Sequence, residues 1–206
     1  SDVYKRQEFQ EKGVTVLRGV FSDWVDVLRK GVDANMADPD PNARIYTGKD
    51  GGGRFFFFFC NWNRIREYRE FIFNSDAAAI GAELMESKQV QLFHEHVLVK
   101  EAATGVPTPW HQDAPYYCVD SAKTVSLWIP LDDVPRETTP EFISGSHKWN
   151  KFYRPQRFDG SALNENDGLE DIPDINGNRA DFDILGWAVG PGDAIAFDYR
   201  TIHGAP

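Results

Sequence analysis

The stretch Thr108-Pro109-Trp110-His111-Gln112-Asp113 decides how the rest of the chain is read. In extended backbone, residues i and i+2 point to the same side, so His111 and Asp113 can reach one point together. Pro107, Pro109 and Pro115 flank the pair and hold the backbone extended. Near the end of the chain a second histidine, His203, follows the β-rich segment Ala194-Ile195-Ala196-Phe197-Asp198. Two neutral imidazoles and one carboxylate on one side of a divalent metal leave its other positions open, the donor set of non-haem Fe(II). His111, Asp113 and His203 are therefore the candidate metal ligands, provided that strand pairing brings residue 203 beside residue 111. Taken singly, His-x-Asp also reads as a surface histidine near a solvated aspartate, and His203 as an ordinary strand-end histidine.

Outward from this stretch the pattern is that of short strands. Residues 90–100 alternate, with Val90, Leu92, His94, His96, Leu98 and Lys100 expected on one face. Residues 124–131 predict another strand, with Ser126, Trp128 and Pro130 sharing a face, and Glu141 to Ile143 a short one ending at the turn Gly145-Ser146-His147. Residues 155–181 read as a polar loop, too dense in Asn, Asp and Gly for a core segment. Strands at 187–189 and 194–198 flank the turn Gly190-Pro191-Gly192-Asp193. Many short strands separated by turn signals predict a β-sandwich or barrel. The first 87 residues read differently. They predict a strand within 14–20, a helix after a Ser22 or Asp23 cap, and a break at 38–42. A flexible turn over 49–53, a buried strand Phe55 to Phe59, and helices over 63–73 and 76–86 follow. The expected organisation is one domain over 1–206, with a mixed part at 1–87 and a β core at 88–206.

The 206 residues carry a net charge of -10 and 14% aromatics. Such an acidic chain is poorly suited to nucleic acid or anionic membrane, both of which attract basic patches. No apolar run approaches the roughly 18 residues of a membrane span. The two cysteines, Cys60 and Cys118, indicate no disulfide framework, and the N-terminal residues are polar rather than a secretory signal, which fits a reducing cytoplasm. The chain does not begin with Met and stops three residues after His203, so its C-terminal end is expected to be missing.

Several blocks occur together and in order. They are Leu92-Phe93-His94-Glu95-His96, Lys100, Trp110-His111-Gln112-Asp113, Ser126-Leu127-Trp128-Ile129-Pro130-Leu131-Asp132, Glu141-Phe142-Ile143-Ser144-Gly145-Ser146-His147, Gly190-Pro191-Gly192-Asp193 and His203-Gly204-Ala205. In this combination the chain resembles the phytanoyl-CoA dioxygenase family. The resemblance implies a mainly β fold with flanking helices, a double-stranded β-helix (jelly-roll, cupin-like) barrel. It implies Fe(II) held by His111, Asp113 and His203, with 2-oxoglutarate and O2 as cosubstrates and ascorbate as a possible reductant. The reaction implied is hydroxylation of a small molecule, with succinate and CO2 as co-products. Asp113 matters here, because related halogenating enzymes carry a small residue in place of the carboxylate.

The resemblance also assigns 2-oxoglutarate contacts. His94 precedes His111 by 17 positions, where relatives carry a polar residue facing the cosubstrate. The bland alternative is a satisfied barrel-lining histidine. Trp128 matches a tryptophan of the pocket wall, or is simply a core aromatic. The arginine that anchors the far carboxylate in the family follows the distal histidine and is expected beyond residue 206. Lys100 and Arg200 are the visible cations, and a solvated strand-end lysine is the competing reading of Lys100. Ala205 stands where the family often has serine. Tyr116 and Tyr117 follow the His-x-Asp directly and are candidate substrate contacts. Trp149, Phe152 and Tyr153 are candidates for a lid, His96 for a supporting role, and His147 for loop structure rather than a fourth ligand. The missing arginine and Ala205 keep open a non-catalytic or 2-oxoglutarate-independent jelly-roll metal-binding protein.

Overall fold

The structure is a computed structural model that describes residues 3–48, 51–102, 104–164 and 167–206. Helix α1 (Val3–Lys12) leads into strand β1 (Val14–Leu17), and a 3-10 turn at Ser22–Trp24 leads into α2 (Val25–Ala37). Strands β2 (Arg44–Thr47) and β3 (Arg54–Phe59) form a hairpin, followed by α3 (Arg66–Asn74) and α4 (Ala77–Leu84). The remaining strands are β4 (His96–Lys100), β5 (Thr108–His111), β6 (Ser126–Trp128), β7 (Glu141–Ile143), β8 (Ile184–Leu185), β9 (Ala194–Phe197) and β10 (His203–Ala205). They make three sheets, in the orders β1-β9-β6, β5-β10-β7-β8 and β2-β3-β4, and every pairing is antiparallel. The sheets stay open; the barrel implied by the sequence is not closed by a continuous ladder among the described residues.

Strand alternation distributes the core. Val14 pairs with Phe197 and Val16 with Ile195, and all four belong to the buried cluster that meets Phe142 of the second sheet. The next pair, Leu17 with Ala194, and the intervening Ala196 face the other way, toward Phe9 of α1, Phe71 of α3 and Leu84 of α4. On the far side of the second sheet, Ile143 and Ile202 join Tyr153 and Ile175 in a third cluster. Burying each large apolar side chain is worth about 1.5–3 kcal/mol. The inner cluster therefore clamps the first sheet to the second, whose strands β5 and β10 carry the candidate histidines. No helix among the described residues is long and apolar enough to cross a membrane.

Several expectations need correction. Residues 90–95 are not strand: β3 pairs with β4 only up to Phe59↔His96, and the next residue, Cys60, turns the chain with φ 54°. The strand expected at 187–189 is an isolated bridge between Val134 and Val189, and the true strand lies earlier, at Ile184–Leu185. The supposedly coreless loop 155–181 contributes Ile175, which is 1% exposed, and a 3-10 helix at Asn176–Asp181. Residue 155–181 readings that fall on 165–166, and the part of the 49–53 turn at 49–50, lie outside the described residues. The helix after residue 22 has no side-chain cap from Ser22 or Asp23; it grows out of the 3-10 turn. Helix α1 and strand β2 have no marker in the sequence pattern.

Candidate active site

Strands β10 and β5 place His203 directly opposite His111. His111 Nε2 lies 3.2 Å from Asp113 Oδ1, and His203 Nε2 lies 3.5 Å from the same oxygen. One donor atom from each of the three residues falls within 4.8 Å of the others. The two imidazoles are oriented by the same local device. His111 Nδ1 is 2.7 Å from the carbonyl of Pro109, and His203 Nδ1 is 2.9 Å from that of Thr201, in each case two residues back. A carbonyl can only accept, so each Nδ1 carries a proton, and in the neutral ring each Nε2 keeps its lone pair on the side of Asp113. The chemistry of this donor set fits a divalent metal with open positions.

The electrostatics are asymmetric. Burial opposes a charge on His111, but the hydrogen bond and negative charge of Asp113, aided by the Pro109 carbonyl, win and raise its pKa. For His203 burial wins, pushing the imidazole down to about 4. Burial also opposes ionisation of Asp113, yet the two histidines hold it below the usual carboxylate range. At neutral pH the site thus offers an ionised carboxylate and at least one fully neutral imidazole.

Only His111 belongs to the strand proper; Asp113 sits at the entry to a 3-10 turn, Ala114–Tyr116. The residue between the two, Gln112, is 2% exposed and points away from them. Its Nε2 donates to the carbonyls of Lys151 and Arg200, each at 2.9 Å, and its Oε1 accepts from the Tyr153 amide at 2.9 Å. Gln112 therefore ties the ligand strand to the turn before His203 and to the segment after the Gly-Ser-His turn. Sequence reasoning passed it over, although alternation around the ligand pair already places it on the opposite, supported face.

The other named residues surround this centre at different distances. Tyr116 lies edge-on to His111, with ring centroids 5.9 Å apart. Its hydroxyl accepts from the Gln156 amide at 2.7 Å and donates to the Gln156 carbonyl at 2.6 Å. Tyr117 packs on His94 at 4.6 Å and on Tyr199 at 5.0 Å. His94 stacks near His96 at 4.3 Å and leaves its buried Nε2 without a hydrogen-bond partner. Burial, with the neighbouring His94, pushes His96 down to about 4, against the pull of Asp113. Trp128 is on the inner face of the first sheet, opposite Ile195 and against the cluster that contains Phe197, whose ring is 4.6 Å from His203. Lys100 ends β4, four residues from His96. Its ammonium donates to the Val106 carbonyl at 3.2 Å and lies 5.1 Å over the Phe55 ring. Arg200 is committed to Asp198 through bonds of 2.9 and 2.7 Å. Tyr153 is core rather than lid, at 6% exposure, whereas Trp149 and Phe152 are exposed. His147 bonds the Gln10 carbonyl at 2.9 Å and takes no part in the triad. An open surface depression of about 470 Å³ between Arg18, Asp133, Gly190 and Asp193 shares no residue with this site.

Facing antiparallel sheets, one of which holds a convergent pair of histidines and a carboxylate, define a mainly β protein with the donor set of a non-haem metal site. The chain belongs to the phytanoyl-CoA dioxygenase family, whose model matches residues 9–206. Solved structures agree on the fold. The non-heme alpha ketoglutarate dependent carbocyclase SnoK from nogalamycin biosynthesis superposes with a TM-score of 0.76 at 19% identity, covering 100% of this chain and 77% of that one. The epimerase SnoN, in complex with Fe3+, alpha ketoglutarate and nogalamycin RO, gives 0.75 at 21% identity, over 98% and 75%. EctD from S. alaskensis, with 2-oxoglutarate and 5-hydroxyectoine, gives 0.74 at 20% identity, over 100% and 70%. No curated protein matches the chain significantly by sequence.

Proposed function

We propose that the chain is an Fe(II)- and 2-oxoglutarate-dependent dioxygenase that hydroxylates a small molecule, with His111, Asp113 and His203 holding the iron. The observation that carries this reading is the pair of Nδ1–carbonyl hydrogen bonds, which turn both Nε2 atoms toward one carboxylate oxygen. When bound, iron and 2-oxoglutarate supply the oxidative chemistry, in which O2 gives one atom to succinate, formed with CO2, and one to a substrate C–H. The protein's part is to fix and dry the site. Phe142 stacks on His203 with an interplanar angle of 18°, and Phe197 closes another side, so the distal ligand is shielded from water. Tyr116 covers the edge of His111 and fixes the neighbouring loop through Gln156. His94 offers an unpartnered buried nitrogen to a polar group of the cosubstrate, and Trp128 lines the inner face of the first sheet. Lys100 is retained as a weaker candidate for a carboxylate contact, and Tyr116 and Tyr117 as substrate contacts. Ascorbate would serve as external reductant. Two exposed, unpaired cysteines suit a cytoplasmic setting.

Anaerobic titration of the Fe(II)-loaded protein with 2-oxoglutarate tests the reading. A visible metal-to-ligand charge-transfer band is expected, with succinate released once O2 and a substrate are admitted. A wild-type protein that binds no iron, or a His111→Ala variant that still forms the band, would refute it.

A further inference from the structure

The five consecutive phenylalanines of β3 are not absorbed by the ligand site. Alternation sends Phe56 and Phe58 to one face, where both are buried. It sends Phe55, Phe57 and Phe59 to the other, opposite Lys100, Leu98 and His96 of β4. Phe57 and Phe59 lie 4.6 Å apart, and the His96 ring is 5.4 and 4.7 Å from them. Phe158, from the segment after the Gly-Ser-His turn, rests on Tyr46 at 5.1 Å and on Phe55 and Phe57 at 5.9 and 6.2 Å.

This wall is joined to the ligand site on two sides. His96 contacts His94, which contacts Tyr117, next to the tyrosine that flanks His111. Phe158 is two residues from Gln156, the residue held by the Tyr116 hydroxyl. The wall is also incompletely covered. Phe57 and Phe59 are only half-buried, and Leu98 on the same face is 45% exposed, unlike the closed cores of the other sheets. Two cations frame it: the Arg44 guanidinium 5.7 Å over Phe59, and the Lys100 ammonium 5.1 Å over Phe55. Neither has a carboxylate partner among the described residues, in a chain whose acids outnumber its bases 32 to 22. Aromatic faces with flanking cations select flat rings, through offset or edge contacts, and acidic oxygens, through charge.

We propose that the substrate is a flat aromatic molecule bearing an acidic oxygen, its ring held by Phe57, Phe59 and Phe158 and its anionic oxygen directed to Arg44. This substrate class rests on the oxygenase reading above, because it takes the wall as the floor of that same site.

Anthraquinone-2-carboxylate is a suitable probe, titrated calorimetrically into protein loaded anaerobically with Fe(II) and 2-oxoglutarate. Cyclohexanecarboxylate, with the same charge and no flat ring, and ectoine, a zwitterion without an aromatic ring, are the comparisons. Binding of the anthraquinone is expected to be at least about tenfold tighter than that of either comparison. Phe57→Leu, which keeps apolar bulk and loses the ring, should weaken it about tenfold, and Arg44→Gln severalfold. If Phe57→Leu fails to fold, Phe158→Leu carries the same test from a loop. Equal binding of cyclohexanecarboxylate, or unchanged binding in the leucine variant, overturns the proposal. Formation of the charge-transfer band without anthraquinone binding overturns it while the oxygenase reading stands. Absence of the band in wild type overturns both.

Discussion

Replacing Gln112 by alanine should damage the ligand site without touching a ligand. The carboxamide satisfies three backbone groups, the Tyr153 amide and the Lys151 and Arg200 carbonyls, and it does so from a buried position. Lys151 is exposed, so its carbonyl can recover a water, whereas Tyr153 is buried and Arg200 only partly accessible. Two groups are then left orphaned, at roughly 1–2 kcal/mol each, and the removed side chain leaves a small void besides. A loss of about 3 kcal/mol follows. For a chain of this length it should lower the melting temperature by roughly 6–12 °C. Thermal unfolding read by near-ultraviolet circular dichroism gives the stability, and Co(II) titration gives the second readout. The turn carrying His203 and the segment from residue 151 both lose their tie to β5, so metal affinity should fall with stability. Gln112→Glu separates the roles of the carboxamide: it keeps an acceptor for the Tyr153 amide but has no donor for either carbonyl. It should be at least as destabilising near neutral pH. A loss below about 1 kcal/mol with unchanged Co(II) affinity would refute the reasoning, since it would mean that strand and turn hold their positions unaided.

Three further outcomes are expected. Burial pushes Glu95 up to about 7, against hydrogen bonds from the Trp62 and Asn61 amides. The folded protein therefore holds this proton more tightly than the unfolded chain, and stability is lost as pH rises from the ordinary carboxylate range through 7. Glu95→Gln, free of that penalty, should gain on wild type between pH 5 and pH 8 by on the order of 1–2 kcal/mol, and a pH-independent difference in melting temperature would count against it. Tyr116→Phe removes the hydroxyl that engages Gln156 twice, and should raise amide hydrogen exchange across 153–163 at a stability loss of about 1 kcal/mol; unchanged protection there would show the latch to be idle. Gly13→Ala should destabilise by about 2–4 kcal/mol in urea unfolding. Gly13 has φ +77°, and an added Cβ would stand 2.5 Å from both His147 Nδ1 and Thr201 Oγ1, so a neutral result would mean that both neighbours can move aside.

The sequence announced what depends on alternation and on donor chemistry. The β3 phenylalanines, Ala194–Phe197 and Glu141–Ile143 show their strand character in a few residues, and the three ligand types suffice to suggest a metal. Elements that borrow their order from partners were not legible. Helix α1 buries Phe9 alone, so no amphipathic stripe marks it. Strand β2 is mostly exposed and exists because β3 offers it a partner from Arg44 to Thr47. Residues 90–95 alternate as a strand would, but Cys60 turns β3 away after its amide bonds the Glu95 carbonyl at 2.9 Å, and an alternating segment without a partner forms no ladder. Ile175 becomes core because Ile143 and Ile202 leave a space beside Tyr153 that only the loop can fill. Gln112 was hidden for a different reason: nothing in its type or spacing reveals three backbone partners that the fold alone brings within reach.

One segment connects these parts. From Lys151 to Leu163 the chain is attached to the ligand strand at Gln112 and to the following turn at Tyr116, and its Phe158 lies on the aromatic wall. The attachments fix register as well as proximity. The Tyr116 hydroxyl uses its acceptor and its donor on the amide and carbonyl of a single residue, Gln156, and Gln112 takes the Lys151 carbonyl and the Tyr153 amide across one intervening residue. A slip by one position would break all four bonds at once and carry Phe158 off the rings of Tyr46, Phe55 and Phe57. Because a buried amide left unbonded costs about 1–3 kcal/mol, such a slip is strongly disfavoured. The same side chains that hold the ligand strand in place therefore also determine which ring faces the wall.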